Sequence, residues 1–298
     1  MENSRTMTVK SLPMHAAMDQ FPVIDGELRV GDIPLGQLAA RVGRTPFYAY
    51  DRRLLERRVE ELRAVLPKTI ELHYAMKANP MPALVCHMAR QVDGIDVASA
   101  GELRVALDAG MRPQHISFAG PGKGREELQQ AVAAGVLLNI ESFREANELA
   151  SISAALGLPA RVAVRVNPDF ELKSAGMKMG GGPKQFGVDA EEVPRLLAEI
   201  GRLGLAFEGF HLFWGSQNLK ADAICDAQQK SLELAIRLAE AAHTPVRMLN
   251  LGGGFGIPYF PGEQRLDLAP VGENLQRIAE RAAAMLPDAT LALELGRY

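Results

Sequence analysis

Residues 51–98 read DRRLLERRVEELRAVLPKTIELHYAMKANPMPALVCHMARQVDGIDVA, and their hydrophobic period changes at each element. Across 51–66 the apolar residues Leu55, Val59, Leu62 and Leu66 recur at spacings of three and four, which is one face of a helix. ELHYAMK (71–77) is a short β-rich run, MPALVCHMARQV (81–92) returns to the helical period, and GIDVAS (94–99) is a second strand. Helix and strand in strict turn, without a hairpin signal between strands, is the pattern of parallel βα units. It continues to the end of the chain. Helices are expected over 100–110, 125–135, 142–157, 190–201, 221–242 and 271–286. Strands are expected at ISFAG (116–120), LLNIE (137–141), RVAVRVN (161–167), AFEGFHLF (206–213), MLNLGG (248–253) and LALELG (291–296). Eight helices and eight strands over some 250 residues are the count of an α/β (β/α)8 TIM-type barrel, begun on a helix. An open doubly wound sheet is the alternative and would need fewer strands. Upstream, GELRVG (26–31) and TPFYAYD (45–51) are expected as short strands around a helix, PLGQLAARVG (34–43), in another sheet. Residues 1–20 read as a flexible tail, 21–50 as the piece outside the barrel, and 51–298 as the barrel itself.

Composition narrows the partner. Of 298 residues, 47% are hydrophobic and 23% charged, and 33 basic against 36 acidic side chains leave a net charge of −3. With no Lys/Arg run and one Trp, neither a nucleic-acid nor an anionic-membrane footprint is present. Cys86 and Cys225 form no C-x-x-C pair and suggest neither zinc nor a disulfide framework. The sequence contains no run of 18 apolar residues and no signal-peptide core at its start. The expectation is a reduced, cytoplasmic protein acting on a small molecule, with no metal.

In such a barrel chemistry sits at the C-terminal ends of the strands. Lys77 ends the first strand, Asp96 lies late in the second, Glu141 ends the fourth, and Arg165 with Asn167 ends the fifth. His211 lies in the sixth, Gly252, Gly253 and Gly254 follow the seventh, and Glu294 ends the eighth with Arg297 just beyond. Strand ends meet water and tolerate charge, so any one of these residues alone means little; the ring of them is harder to dismiss. LNLGGGFGIPY offers backbone N–H groups unshielded by side chains after strand seven, where barrels commonly hold a phosphate. GGGFG lacks the dinucleotide-binding spacing, and a merely tight turn remains its bland reading. Amine attack on a carbonyl needs the neutral form, so a Schiff-base lysine relies on burial or a cationic neighbour, and a barrel mouth can supply both. Lys77 with a phosphate cradle therefore suggests either a class I aldolase or a pyridoxal phosphate enzyme.

HYAMKAN, GIDVASAGEL, ISFAGPGK, LNIES, RVNPD, FHLFWGSQN, LNLGGGFGIPYF and ELGRY, in that order, resemble the fold type III pyridoxal-phosphate decarboxylases, the group of diaminopimelate and ornithine decarboxylases. The resemblance is closest to the pyridoxal-dependent decarboxylases of exosortase and exopolysaccharide gene clusters, which carry stretches similar to AGMKMGGGPKQFG and GSQN. It runs from about Gly26 to Tyr298. It implies pyridoxal 5'-phosphate as cofactor and Lys77 as its Schiff-base lysine. Glu294 would be the carboxylate facing the pyridine nitrogen, and Ser216, Gly252, Gly253, Gly254 and Arg297 would hold the phosphate. Asp96, Glu102 and Arg165 would form a charged network around the Schiff base. An anionic carboxylate at the ring nitrogen makes a strong electron sink, whereas racemases of the same barrel type place an arginine there. The implied activity is decarboxylation of an α-amino acid such as diaminopimelate, ornithine or lysine, by a homodimer. An amino-acid racemase and a non-catalytic pyridoxal-phosphate-binding barrel are the alternatives.

Two departures from the family pattern stand out. The position of the histidine that stacks on the cofactor ring is Phe213, which can stack but cannot carry charge. His211, two residues earlier on the same strand face, is the candidate to compensate. Family members also continue past ELGRY into a β-domain to which residues 21–50 would contribute, and this sequence stops at Tyr298. A chain without that β-domain is expected to bind cofactor and turn over slowly. Finally, the glycine-rich stretch from Asp169 to Gly187, which holds Lys173, Lys178 and Lys184, is expected to be a lid over the mouth.

Overall fold

The computed structural model describes residues 14–169, 177–178 and 185–298. The eight expected strands are present as β1 Ile70–Ala75, β2 Gly94–Val97, β3 Ile116–Phe118, β4 Leu137–Ile140, β5 Arg161–Asn167, β6 Ala206–Leu212, β7 Met248–Asn250 and β8 Thr290–Leu295. Each pairs in parallel with the next in sequence, and β8 pairs with β1, so the sheet closes into a barrel. An open doubly wound sheet is thereby excluded. A short strand, Val188–Asp189, adds to the C-terminal end of β5.

The helices are α1 Arg52–Val65, α2 Pro82–Met88, α3 Ala100–Asp108, α4 Arg125–Ala134, α5 Phe143–Leu156, α6 Val193–Arg202, α7 Ala221–Ala239 and α8 Ala269–Met285. Two of them start with the same device. Ser99 accepts from the Glu102 N–H ahead of α3, and Ser142 accepts from the Glu145 N–H ahead of α5, each at 3.2 Å. In return the two glutamates accept from the Ala98 and Glu141 N–H groups, satisfying donors that a helix start leaves open.

Strand alternation decides what the barrel encloses. In each strand one polar residue stands between two apolar ones: His73, Asp96, Ser117, Asn139, Arg165, His211, Asn250 and Glu294 are all buried. Their neighbours, among them Leu72, Ile95, Phe118, Leu138, Val164, Phe210, Leu249 and Leu293, belong to the apolar core with the helices. With a period of two, the apolar set faces the helical layer and the polar set lines the barrel. The interior is therefore a hydrogen-bonding surface and the hydrophobic core is the shell between strands and helices.

The chain divides into two compact units, one of Arg52–Ile257 with Leu266–Tyr298, the other of Met1–Asp51 with Pro258–Arg265. In the second, Val23–Ile24, Glu27–Val30 and Ile33–Pro34 form an antiparallel meander followed by the helix Leu35–Val42. TPFYAYD corrects an expectation: residues 45–51 are not a strand. Aromatic and β-branched side chains favour extended backbone, but a strand exists only with a partner ladder, and Tyr48 stands 89% exposed. Of the expected tail, residues 1–13 lie outside the described residues. Ala16 N–H donates to the Tyr259 carbonyl at 2.8 Å, and Asp19 pairs with Arg265 at 2.8 Å. Among the described residues no helix is long and apolar enough to cross a membrane.

Candidate active site

Lys77 follows β1 in a single 3-10 turn, Met76–Ala78, with its side chain 60% exposed. The burial expected of a Schiff-base lysine is therefore not how this one is held. Its Nζ lies 3.6 Å from Oε1 of Glu294, a side chain only 4% exposed. The other carboxylate oxygen of Glu294 lies 3.0 Å from Nε2 of His211 and accepts from Asn250 Nδ2 at 3.4 Å. Burial pushes the Glu294 carboxyl up, and His211, Lys77 and Arg165 together outweigh it, so that the group is held below the usual carboxylate range. A buried carboxylate at the centre of the mouth is thus kept ionised.

Phe213, just past β6, faces two of these cations. Lys77 Nζ is 5.8 Å and the Arg165 guanidinium 5.7 Å from its ring centroid, and Arg165 also lies 5.0 Å from that of Phe186. The guanidinium is anchored by Glu141, at 3.3 Å. Glu141 in turn accepts from the Gly120 and Gly187 N–H groups at 2.5 and 3.0 Å. Behind it, Lys123, its side chain 1% exposed, pairs with Glu145 at 3.1 Å and donates to the carbonyls of Gly120 and Asn139.

The structure brings Lys77, Glu294, His211, Phe213 and Arg165 together. Asp96 is engaged elsewhere in the barrel: it accepts from Ser117 Oγ and faces His73 Nδ1 at 3.6 Å. Glu102 caps α3, so the expected Asp96–Glu102–Arg165 network is drawn differently, with Glu141 as the partner of Arg165. His73, Glu71, Ser117, Asn139, Asn250 and the Lys123–Glu145 pair were not singled out from sequence. The signal for five of them was there, a single polar residue between two apolar ones at a strand: Glu71, His73, Ser117, Asn139 and Asn250.

The glycine loop crosses beside β8. Gly252 and Gly254 have φ of 70° and 76°, and a Cβ on Gly253 would stand 2.0 Å from the Glu294 carbonyl, so only glycine fits there. Among the described residues the chain supplies no acceptor to the N–H groups of Gly253, Gly254 or Phe255. Ser216 lies across from this loop in a two-residue strand paired with Met177–Lys178. Arg297, beyond β8, donates to Gln217 Oε1 at 3.4 Å. Backbone donors without partners, an ionised buried carboxylate, an aromatic face and a lysine within one mouth fit pyridoxal phosphate.

The comparisons with known proteins agree with this fit. Residues 52–298 match the family model described as pyridoxal-dependent decarboxylase, pyridoxal binding domain. The chain is 35% identical over 257 residues to L-glutamyl-[BtrI acyl-carrier protein] decarboxylase of Niallia circulans, covering 85% of this chain and 60% of that protein. It is 34% identical over 265 residues to diaminopimelate decarboxylase of Aquifex aeolicus, covering 88% and 62%. The crystal structure of diaminopimelate decarboxylase from Helicobacter pylori complexed with L-lysine superposes with a TM-score of 0.76 at 28% identity, over 88% of this chain and 66% of that one. The chain thus spans about three fifths of the length of the two curated relatives.

Proposed function

The chain belongs to the pyridoxal-dependent decarboxylases, matching their pyridoxal binding domain, and we propose that it holds pyridoxal 5'-phosphate on Lys77 and serves the decarboxylation of an α-amino acid. The observation that carries this reading is the buried, ionised Glu294 between Lys77 and His211. When bound, the cofactor supplies an electron sink for the pair left by a departing carboxylate, and an anionic partner deepens that sink. A racemase would gain from a weaker one, so Glu294 favours decarboxylation.

Each residue has a physical task. Lys77 offers the amine, and its flexible, exposed stem can swing from Glu294 towards a carbonyl. His211 and Asn250 fix the Glu294 carboxylate in one orientation, so that its charge needs no rearrangement during reaction. Phe213 provides a flat face for an aromatic ring. Ser216, the Gly252–Gly254 backbone and Arg297 would receive the phosphate. The diaminopimelate decarboxylase relatives and the lysine-complexed neighbour support an amino acid bearing a second amine. The test is a titration of the purified chain with pyridoxal phosphate, followed by measurement of CO2 released from diaminopimelate, lysine and ornithine. Failure to take up cofactor would overturn the reading, and racemisation without CO2 release would replace decarboxylation.

A further inference from the structure

Gln217 joins three segments of the barrel mouth through one carboxamide. It sits in the turn after β6 with φ of 58°, a conformation that is unfavourable for a residue with a Cβ and persists only where surrounding contacts hold it. Those contacts are explicit. Nε2 donates to the Ile257 carbonyl at 2.6 Å and Oε1 accepts from the Ile257 N–H at 3.3 Å, so the side chain pairs with one residue as a neighbouring strand would. The same Oε1 accepts from Arg297 Nη1 at 3.4 Å. Beside it, the Asn218 N–H donates to the Gly254 carbonyl at 2.9 Å and the Gly256 N–H to the Asn218 carbonyl at 2.8 Å. The turn after β6, the glycine loop after β7 and the end of β8 are thus laced together around the N–H groups of Gly253 and Gly254.

We propose that Gln217 is a positioning residue for the phosphate end of the cofactor site, setting the glycine loop and Arg297 in the arrangement that receives a phosphate dianion. The proposal rests on the pyridoxal phosphate reading above. The chemistry of the side chain is specific: glutamate cannot donate to the Ile257 carbonyl, and asparagine is one methylene too short to span the same gap. A loop held in its receiving shape binds more tightly because less ordering is left to the moment of binding.

The experiment compares pyridoxal phosphate with pyridoxal, which lacks the phosphate, for wild type and for Gln217→Asn and Gln217→Gly. Both replacements tolerate the left-handed backbone, so far-ultraviolet circular dichroism should report an unchanged fold. Affinity is read from the absorbance of the Schiff base, without any need for turnover. The expected result is a loss of about tenfold or more in affinity for pyridoxal phosphate in both variants, with pyridoxal binding changed less than about twofold. A parallel fall for both ligands, or no fall for either, overturns the positioning role alone. A wild-type chain that binds pyridoxal phosphate no better than pyridoxal overturns the cofactor reading and this proposal with it.

Discussion

His211 Nε2 stands 3.0 Å from Glu294 Oε2, and both side chains are almost wholly buried. Removing the imidazole takes one partner from a buried carboxylate that keeps Asn250 and Lys77, typically at about 1 to 3 kcal/mol and more for a charged group. His211→Ala is therefore expected to lower stability by about 3 kcal/mol in urea unfolding at neutral pH. Glu294 is held below the usual carboxylate range, so its stabilising contribution is present above that range and is lost as the pH falls below it towards the depressed folded-state value. The wild type should lose stability towards acid more steeply than Glu294→Gln. Equal acid slopes would show that Glu294 is not held ionised.

Lys77 is expected to be the residue labelled when the cofactor-loaded chain is reduced with borohydride and mapped. Lys77→Ala should lose the Schiff-base absorbance and the label. Transfer of the label to Lys123, Lys173, Lys178 or Lys184 would reassign the site.

Gly253→Ala should fail at the cofactor site and weaken the fold. The added methyl would stand 2.0 Å from the Glu294 carbonyl, closer than any real contact, and must displace either the loop or β8. A destabilisation of about 3 kcal/mol or more and loss of cofactor binding are expected. A variant of wild-type stability in thermal unfolding would mean that the two backbones do not approach as described.

His73 gives the barrel a pH dependence of the opposite sign. Burial opposes its charge, but Asp96 and Glu71 outweigh burial and hold its pKa up at about 10. A raised folded-state pKa contributes stability fully below the ordinary imidazole range and loses it as the pH rises through the folded value. Between pH 7 and 9.5 the loss should be on the order of 3 kcal/mol. His73→Gln should flatten that slope, and an unchanged slope would show that His73 is neutral in the fold.

Lys123 and Glu145 should couple strongly. Burial raises the Glu145 carboxyl and Lys123 is the charge that draws it back, so Lys123→Met alone should cost about 3 to 5 kcal/mol. The double variant Lys123→Met with Glu145→Met should recover part of that loss. Additive losses in the cycle would show no direct interaction.

The lid expected over Asp169–Gly187 falls largely outside the described residues.

The sequence by itself determined the eightfold alternation of helix and strand, because hydrophobic period is a local property and each element carries its own. It also determined which residues reach the mouth at strand ends, Lys77, Arg165, His211 and Glu294 among them, since a parallel barrel sends every such end to one side. What it left open are relations between strands. Nothing in GIDVAS says that Asp96 turns to Ser117 and His73, and nothing in LNIES says that Glu141 anchors Arg165, because parallel pairing of successive strands brings these residues side by side from 21 to 24 residues apart. Gln217 and Ile257, 40 residues apart, meet only when the turns after β6 and β7 fold over the mouth. TPFYAYD shows the converse limit. Its side chains favour a strand, and pairing, which only the tertiary structure decides, is what it lacks.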